Sequence, residues 1–215
     1  MTQLVLFDAV GTLFSVRGSV GKIYSDFAAN YGVSLPPSAI DQRFGSVFAK
    51  RLAPTANSRQ WWYETVQETF AGLSFTDFDS FFAQVYDYFA TGDAWFLYPE
   101  TREVLEELKQ RGLTLAIVSN FDDRLYTVLE ALAVRDFFAE IGISAAVGHA
   151  KPSPLLFAHV LEKLKISADH ALHIGDSVED VIGAKAAGIK VLRVDRRPQP
   201  QAQTVPNLKA IFDWL

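Results

Sequence analysis

Four groups of polar residues, most of them at the end of a short apolar run, carry the chemistry open to this chain. Leu4-Val5-Leu6-Phe7 leads into Asp8, with Gly11 and Thr12 close behind, and Leu115-Ala116-Ile117-Val118 leads into Ser119-Asn120. Lys151 stands ahead of Pro152, and Leu172-His173-Ile174-Gly175 leads into Asp176, with Asp180 one helical turn further on. A carboxylate can attack an electrophile or hold a hard cation; lysine, hydroxyl and amide groups can hold an anion. Taken singly, each group has an ordinary reading. Asp8 reads as a strand-end cap, Ser119-Asn120 as a turn and Lys151 as a surface lysine. Asp176 and Asp180 read as a helix start acidified to suit the macrodipole. That reading does not explain two carboxylates, Asp8 and Asp176, converging on strand ends.

The elements that must position these groups follow from periodicity. Leu4–Phe7 is long enough for a strand buried on both faces. In an open α/β sheet the ligand crevice lies beyond the carboxyl ends of the strands, which puts Asp8 on its floor. Gly11 gives the chain a tight exit, and Thr12 brings a hydroxyl near the carboxylate. From Phe14 to about Asp93 the pattern is helical and rich in aromatics. Helices are expected at Ser19 to Tyr31, Ser38 to Lys50, Arg59 to Ala71 with Asn57-Ser58 as its cap, and after Thr76-Asp77. The helical spacing of Trp61-Trp62-Tyr63 and the phenylalanines favours core and interface packing over a ligand box. Arg43, Lys50, Arg51 and Arg59 read mostly as a solvated helix face. After Asp93, helices and strands alternate, with strands near Leu113 to Val118, Glu140 to Ser144, Ala171 to Ile174 and Lys190 to Val194. This predicts a Rossmann-like α/β fold, a parallel sheet covered on both faces by right-handed crossovers, with an inserted helical bundle. The expected division is residues 1–14 and 94–215 as core and 15–93 as insert. Pro198 to Pro206 reads as a loop, and Leu208 to Leu215 as a closing helix.

With the motifs in this order, the chain resembles the haloacid dehalogenase-like hydrolase superfamily in its helical-cap branch, from Leu4 to about Asp195. Gln60-Trp61-Trp62 and the Phe-Phe-containing helix narrow the likeness to one subgroup. The resemblance implies that the bundle is a mobile cap and that Asp8 is a nucleophile forming an aspartyl-phosphate. It implies Ser119, Asn120 and Lys151 as the substrate's phosphoryl-binding groups, with Lys151 and Thr12 also catalytic. It further implies Mg²⁺ on Asp8, Asp176 and the Val10 backbone carbonyl, with Asp180 in the metal site to orient bound waters or Lys151. One departure matters: most phosphatases of the family carry a second aspartate where this chain has Val10. In the family that aspartate protonates the leaving oxygen and then activates water, acid–base help worth ~10²–10⁴-fold. The expectation is a phosphatase of a small phosphorylated metabolite, limited to leaving groups of low basicity. Alternatives are a phosphate-binding or regulatory protein, a 2-haloacid dehalogenase, and a phosphonatase using Lys22 or Lys50. The acidic Asp176 argues against the dehalogenase, which needs no metal. His149, His159, His170 and His173 share no metal-ligand spacing and read as structural.

Composition removes other classes. The 215 residues have a formal net charge of −5 and no basic stripe, so nucleic acid is not an expected partner. There are no cysteines, which excludes thiolate metal sites and cysteine catalysis. No run nears the roughly 20 apolar residues of a membrane span, and no secretory leader is visible, so a cytoplasmic setting is expected.

Overall fold

The computed structural model describes residues 1–51, 53–197 and 204–215. Its centre is β1 (Leu4–Phe7), in which every residue is buried. It lies between β4 (Thr114–Ser119) and β6 (Ala171–Gly175); β5 (Glu140–Ile143) and β7 (Lys190–Arg193) complete a sheet ordered β5-β4-β1-β6-β7. All four pairings are parallel. Alternation along β1 sends Val5 and Phe7 into one core and Leu4 and Leu6 into the other. Helices therefore cover both faces. The first core takes Val104, Leu105 and Leu108 of α5 (Thr101–Gln110) and Leu125, Val128 and Leu129 of α6 (Arg124–Ala131). The second takes Leu156, Phe157 and Val160 of α8 (Pro154–Leu164) and Ala184 of α9 (Val178–Ala186). A one-turn helix, α7 (Ser144–Val147), follows β5. No helix among the described residues is long and apolar enough to cross a membrane.

Between β1 and α5 the chain leaves the sheet through β2 (Phe14–Val16) and returns through β3 (Trp95–Leu97), an antiparallel pair. Neither strand is expected from the sequence, because three residues are too few to show a period of two. The division expected at 14/15 falls inside β2. Four helices lie between the paired strands: α1 (Val20–Ala29), α2 (Pro37–Phe48), α3 (Ser58–Thr69) and α4 (Phe78–Tyr88). Ser19 caps α1, accepting from Lys22 N at 3.0 Å, and donates to Asp41 of α2 at 2.7 Å. Gly21 lets these helices touch: a Cβ there would lie 2.1 Å from the Pro37 carbonyl oxygen. Tyr24 is the hub, with the rings of Phe44, Phe70, Phe81 and Phe89 centred 5.9–6.5 Å away.

One local expectation is corrected: Asn57 precedes α3 in a left-handed conformation (φ 46) and makes no side-chain capping bond. The expected closing helix is present as a 3-10 helix, Leu208–Asp213. Of the loop expected over Pro198 to Pro206, residues 198–203 lie outside the described residues, while Val205 bridges to Val194.

Candidate active site

The carboxyl ends of β1, β4 and β6 bring most of the predicted residues together. Asp8 leaves β1 with its amide donating to the Ile174 carbonyl at 2.8 Å, so its position is set by the neighbouring strand. Ser119, the last residue of β4, donates from Oγ to Asp8 Oδ1 at 3.2 Å. Lys151 reaches in from the loop before α8. Its Nζ lies 2.5 Å from Asp8 Oδ1 and 2.7 Å from Asp180 Oδ1, with all three side chains buried. Asp8, Asp176 and Asp180 each offer an oxygen within 4.8 Å of the others'. Three carboxylates around one ammonium leave an excess of negative charge.

That imbalance perturbs each group differently. Burial pushes the Asp8 carboxyl up to about 7, helped by the charges of Asp180 and Asp176 and only partly offset by Lys151. Burial and Asp180 likewise raise Asp176. Burial would raise Asp180 too, but the Lys151 ammonium and the His173 hydrogen bond outweigh it and hold that carboxyl far below its usual range. Lys151 stays charged: burial opposes the ammonium, and Asp180 and Asp8 overcome that opposition. A hard cation beside Asp8 and Asp176 would relieve the excess, and the residues fit one. Gly11 makes the space, since in its left-handed conformation (φ +88) a Cβ would lie 2.3 Å from Asp176 Oδ2.

Three of the predicted residues have side chains already engaged or enclosed by the protein. Asp180 is committed to protein donors at both oxygens: Lys151 and His173 on Oδ1, the Ser177 amide (3.1 Å) and hydroxyl (2.5 Å) on Oδ2. It therefore positions Lys151, one of the roles the resemblance implies for it, while it still offers an oxygen within 4.8 Å of those of Asp8 and Asp176. The Asn120 side chain clamps the Lys151 backbone, accepting from its amide at 2.7 Å and donating to its carbonyl at 3.0 Å, so this donor is not turned toward a phosphoryl group. Thr12 is fully buried, its Oγ1 has no hydrogen-bond partner, and it does not border the cavity above Asp8. Val10 does border that cavity.

His173 is the residue the sequence reading left out. It is fully buried, 2.9 Å from Asp180 Oδ1 through Nε2 and edge-on to Phe157. An ionised carboxylate only accepts, so Nε2 carries the proton. The signal was its strand position: His173 and Gly175 share one face of β6, and Asp180 packs over that face. A Cβ on Gly175 would lie 2.2 Å from Asp180 Cγ.

Arg196 fastens the loop after Asp8 from outside. It donates to the carbonyls of Thr12 (2.8 Å) and Gly11 (3.3 Å), pairs with Glu100 at 2.7 Å and lies 3.5 Å from the Tyr98 ring centre. A second set of contacts joins the helical insert to the sheet. Trp62 Nε1 of α3 donates to Asp122 Oδ2 at 2.9 Å, and Arg124 holds the same carboxylate while covering Tyr86 of α4.

The family pattern of haloacid dehalogenase-like hydrolases matches residues 2–188, a span holding every residue of the buried cluster. The chain belongs to this family. Haloacid dehalogenase-like hydrolase domain-containing protein 3 of Xenopus laevis is 30% identical over 213 residues, covering 94% of this chain and 87% of that protein. Among solved structures, a HAD phosphatase from Thermococcus onnurineus superposes with a TM-score of 0.73 at 21% identity, over 99% of this chain and 97% of that one. L-2-haloacid dehalogenase from Xanthobacter autotrophicus superposes at 0.71 with 26% identity, over 93% and 80%. This hydrolase thus shares its fold with proteins named for two chemistries, and the choice between them falls to its own residues.

Proposed function

We propose that the protein is a Mg²⁺-dependent phosphatase acting through Asp8 on small phosphate esters whose leaving group needs little protonation, in a cytoplasmic setting. The observation that carries this reading is the buried Lys151–Asp8 pair at 2.5 Å beside the carboxylate of Asp176. An Asp8 oxygen attacks phosphorus while the bond to the leaving oxygen breaks, and the departing oxygen keeps the electron pair. Lys151 neutralises Asp8 and the transferring oxygens, and Ser119 Oγ holds Asp8 in line. Water then attacks the phosphorus of the aspartyl-phosphate as the bond to the Asp8 oxygen breaks; the carboxylate keeps the electron pair, one proton of the water stays on the released phosphate and the other passes through solvent to the departed oxygen. Mg²⁺, held by Asp8, Asp176 and the Val10 carbonyl, would supply charge neutralisation at this end of the cavity. In this reading α1–α4 form the cap over the crevice.

Val10 offers no proton to the leaving oxygen, which is why aryl or acyl phosphates are favoured over alkyl ones. The same residue supports a second reading, a protein that binds a phosphorylated ligand without turning it over. Asp176 counts against a dehalogenase, because without a cation it places a further negative charge by Asp8. Lys22 and Lys50, the candidates for phosphonate chemistry, do not border the cavity; Lys22 pairs with Asp26 on the surface. The test is turnover of p-nitrophenyl phosphate, an alkyl phosphate and 2-chloropropionate with and without Mg²⁺. Magnesium-dependent release from the aryl ester is expected. Halide release, or no turnover with retained phosphate binding, would overturn the proposal.

A further inference from the structure

The carboxylate cluster occupies one end of a cavity of about 590 Å³, far more room than a phosphate needs. Away from Asp8 its walls are built mainly from rings, including Phe44, Phe48, Trp62, Phe82, Tyr86 and Trp95. Two cations other than Lys151 border it, and both are engaged. Arg51 pairs with Glu64 at 2.8 Å and donates to Thr65 at 3.1 Å. Arg124 holds Asp122 through two nitrogens, at 2.7 and 2.9 Å, with its plane over Tyr86. A second anionic group on a ligand would meet guanidinium groups whose charge Glu64 and Asp122 already counter. A sugar would set its hydroxyls against ring faces, stripping their water without replacing it. A flat apolar group would lose nothing and gain contact with the rings.

We infer that the cavity takes a monophosphate whose alcohol portion is an uncharged aryl or fused-ring group, its phosphate at Asp8 and its ring among Trp62, Phe82 and Tyr86. This rests on the phosphate-ester reading of the Asp8 end and names the class of molecule attached to the phosphate. It also explains how Val10 can be tolerated, because an aryloxide leaves without a proton. Chemistry and selectivity then agree: one end of the cavity cannot protonate a leaving group, and the other admits those that do not require it.

The probes are methylphosphonate and 1-naphthylmethylphosphonate, neither with a hydrolysable P–O ester bond, titrated calorimetrically into the Mg²⁺-loaded protein. The naphthyl compound is expected to bind tighter by on the order of tenfold or more, from the ring surface it buries. Phe48→Ala, at a side chain 44% exposed and therefore cheap to truncate, and Tyr86→Leu should each lower the ratio of the two affinities. Equal affinities in the unmodified protein, or a ratio untouched by both variants, would overturn the aryl inference and leave the phosphate reading standing. Binding of neither probe would overturn both.

Discussion

The sheet and the helical insert build opposite ends of one cavity by different means. In the sheet, pairing register decides what a side chain does. Asp8 sits where β1 ends, Ser119 where β4 ends and Asp176 just past β6, and moving any strand by one residue would reverse its faces and scatter the set. In the insert the wall is mostly apolar, its polar groups including Arg51, engaged by Glu64 and Thr65, and the Trp62 indole on Asp122. Rings pack on rings around Tyr24, and what faces the cavity is whatever that packing leaves uncovered. The difference separates two tolerances. On the proposed function, a change of residue type at the sheet end should cost chemistry, whereas exchanging one apolar shape for another at the insert end should alter the molecule admitted.

Substitutions at the two ends should keep those consequences apart. The largest effect is expected from Asp8→Asn, which removes the nucleophile while keeping its shape: steady-state turnover of p-nitrophenyl phosphate should fall by at least ~10³-fold. Val10→Asp should act in the opposite direction, raising turnover of an alkyl phosphate by up to ~10²–10⁴-fold and that of an aryl phosphate much less. Equal gains on both esters would mean that leaving-group protonation is not what the sheet end lacks. Trp62→Phe leaves a smaller ring and deletes the bond to Asp122; it should cost about 1.5–3 kcal/mol in urea unfolding and raise KM for an aryl ester while turnover at saturation persists. A collapse of turnover there would break the separation between the ends. The smallest effect is in pH. In the proposed reading Mg²⁺ takes the ionised form of Asp8, whose carboxyl is raised to about 7 by burial. Protons therefore compete below that value, and calorimetry should show affinity falling by about tenfold per pH unit under it and levelling above it.

How much of this the sequence discloses depends on how far each contact reaches. Asp8, Ser119 and Asp176 are legible because each ends an apolar run, and a run locates its own end. Lys151 is legible only through motif order; nothing in its neighbourhood foretells burial against two carboxylates. The parallel sheet follows from alternation of elements, while β2 and β3 do not, being paired across the whole insert. Asn120 has the right type in the right place, yet its side chain is taken up by the Lys151 backbone, a contact 31 positions away. His173 sits inside a readable strand, but its partner is settled only when α9 folds back over β6. Trp62, Asp122 and Arg124 meet across 60 residues and give no local sign at all.

Arg196 ties the Gly11 and Thr12 carbonyls to Glu100 and Tyr98, the segment just beyond the returning strand β3. The point where the chain departs from the sheet and the point where it comes back are thus bolted to one guanidinium. What lies between them is framed at its two ends by this one side chain and touches the rest of the protein again through Trp62, Tyr86 and Pro54. A lineage, or a protein engineer, that rewrote residues 17–94 on the same two-stranded stem would have to re-match Asp122, Arg124 and Ser144 outside it.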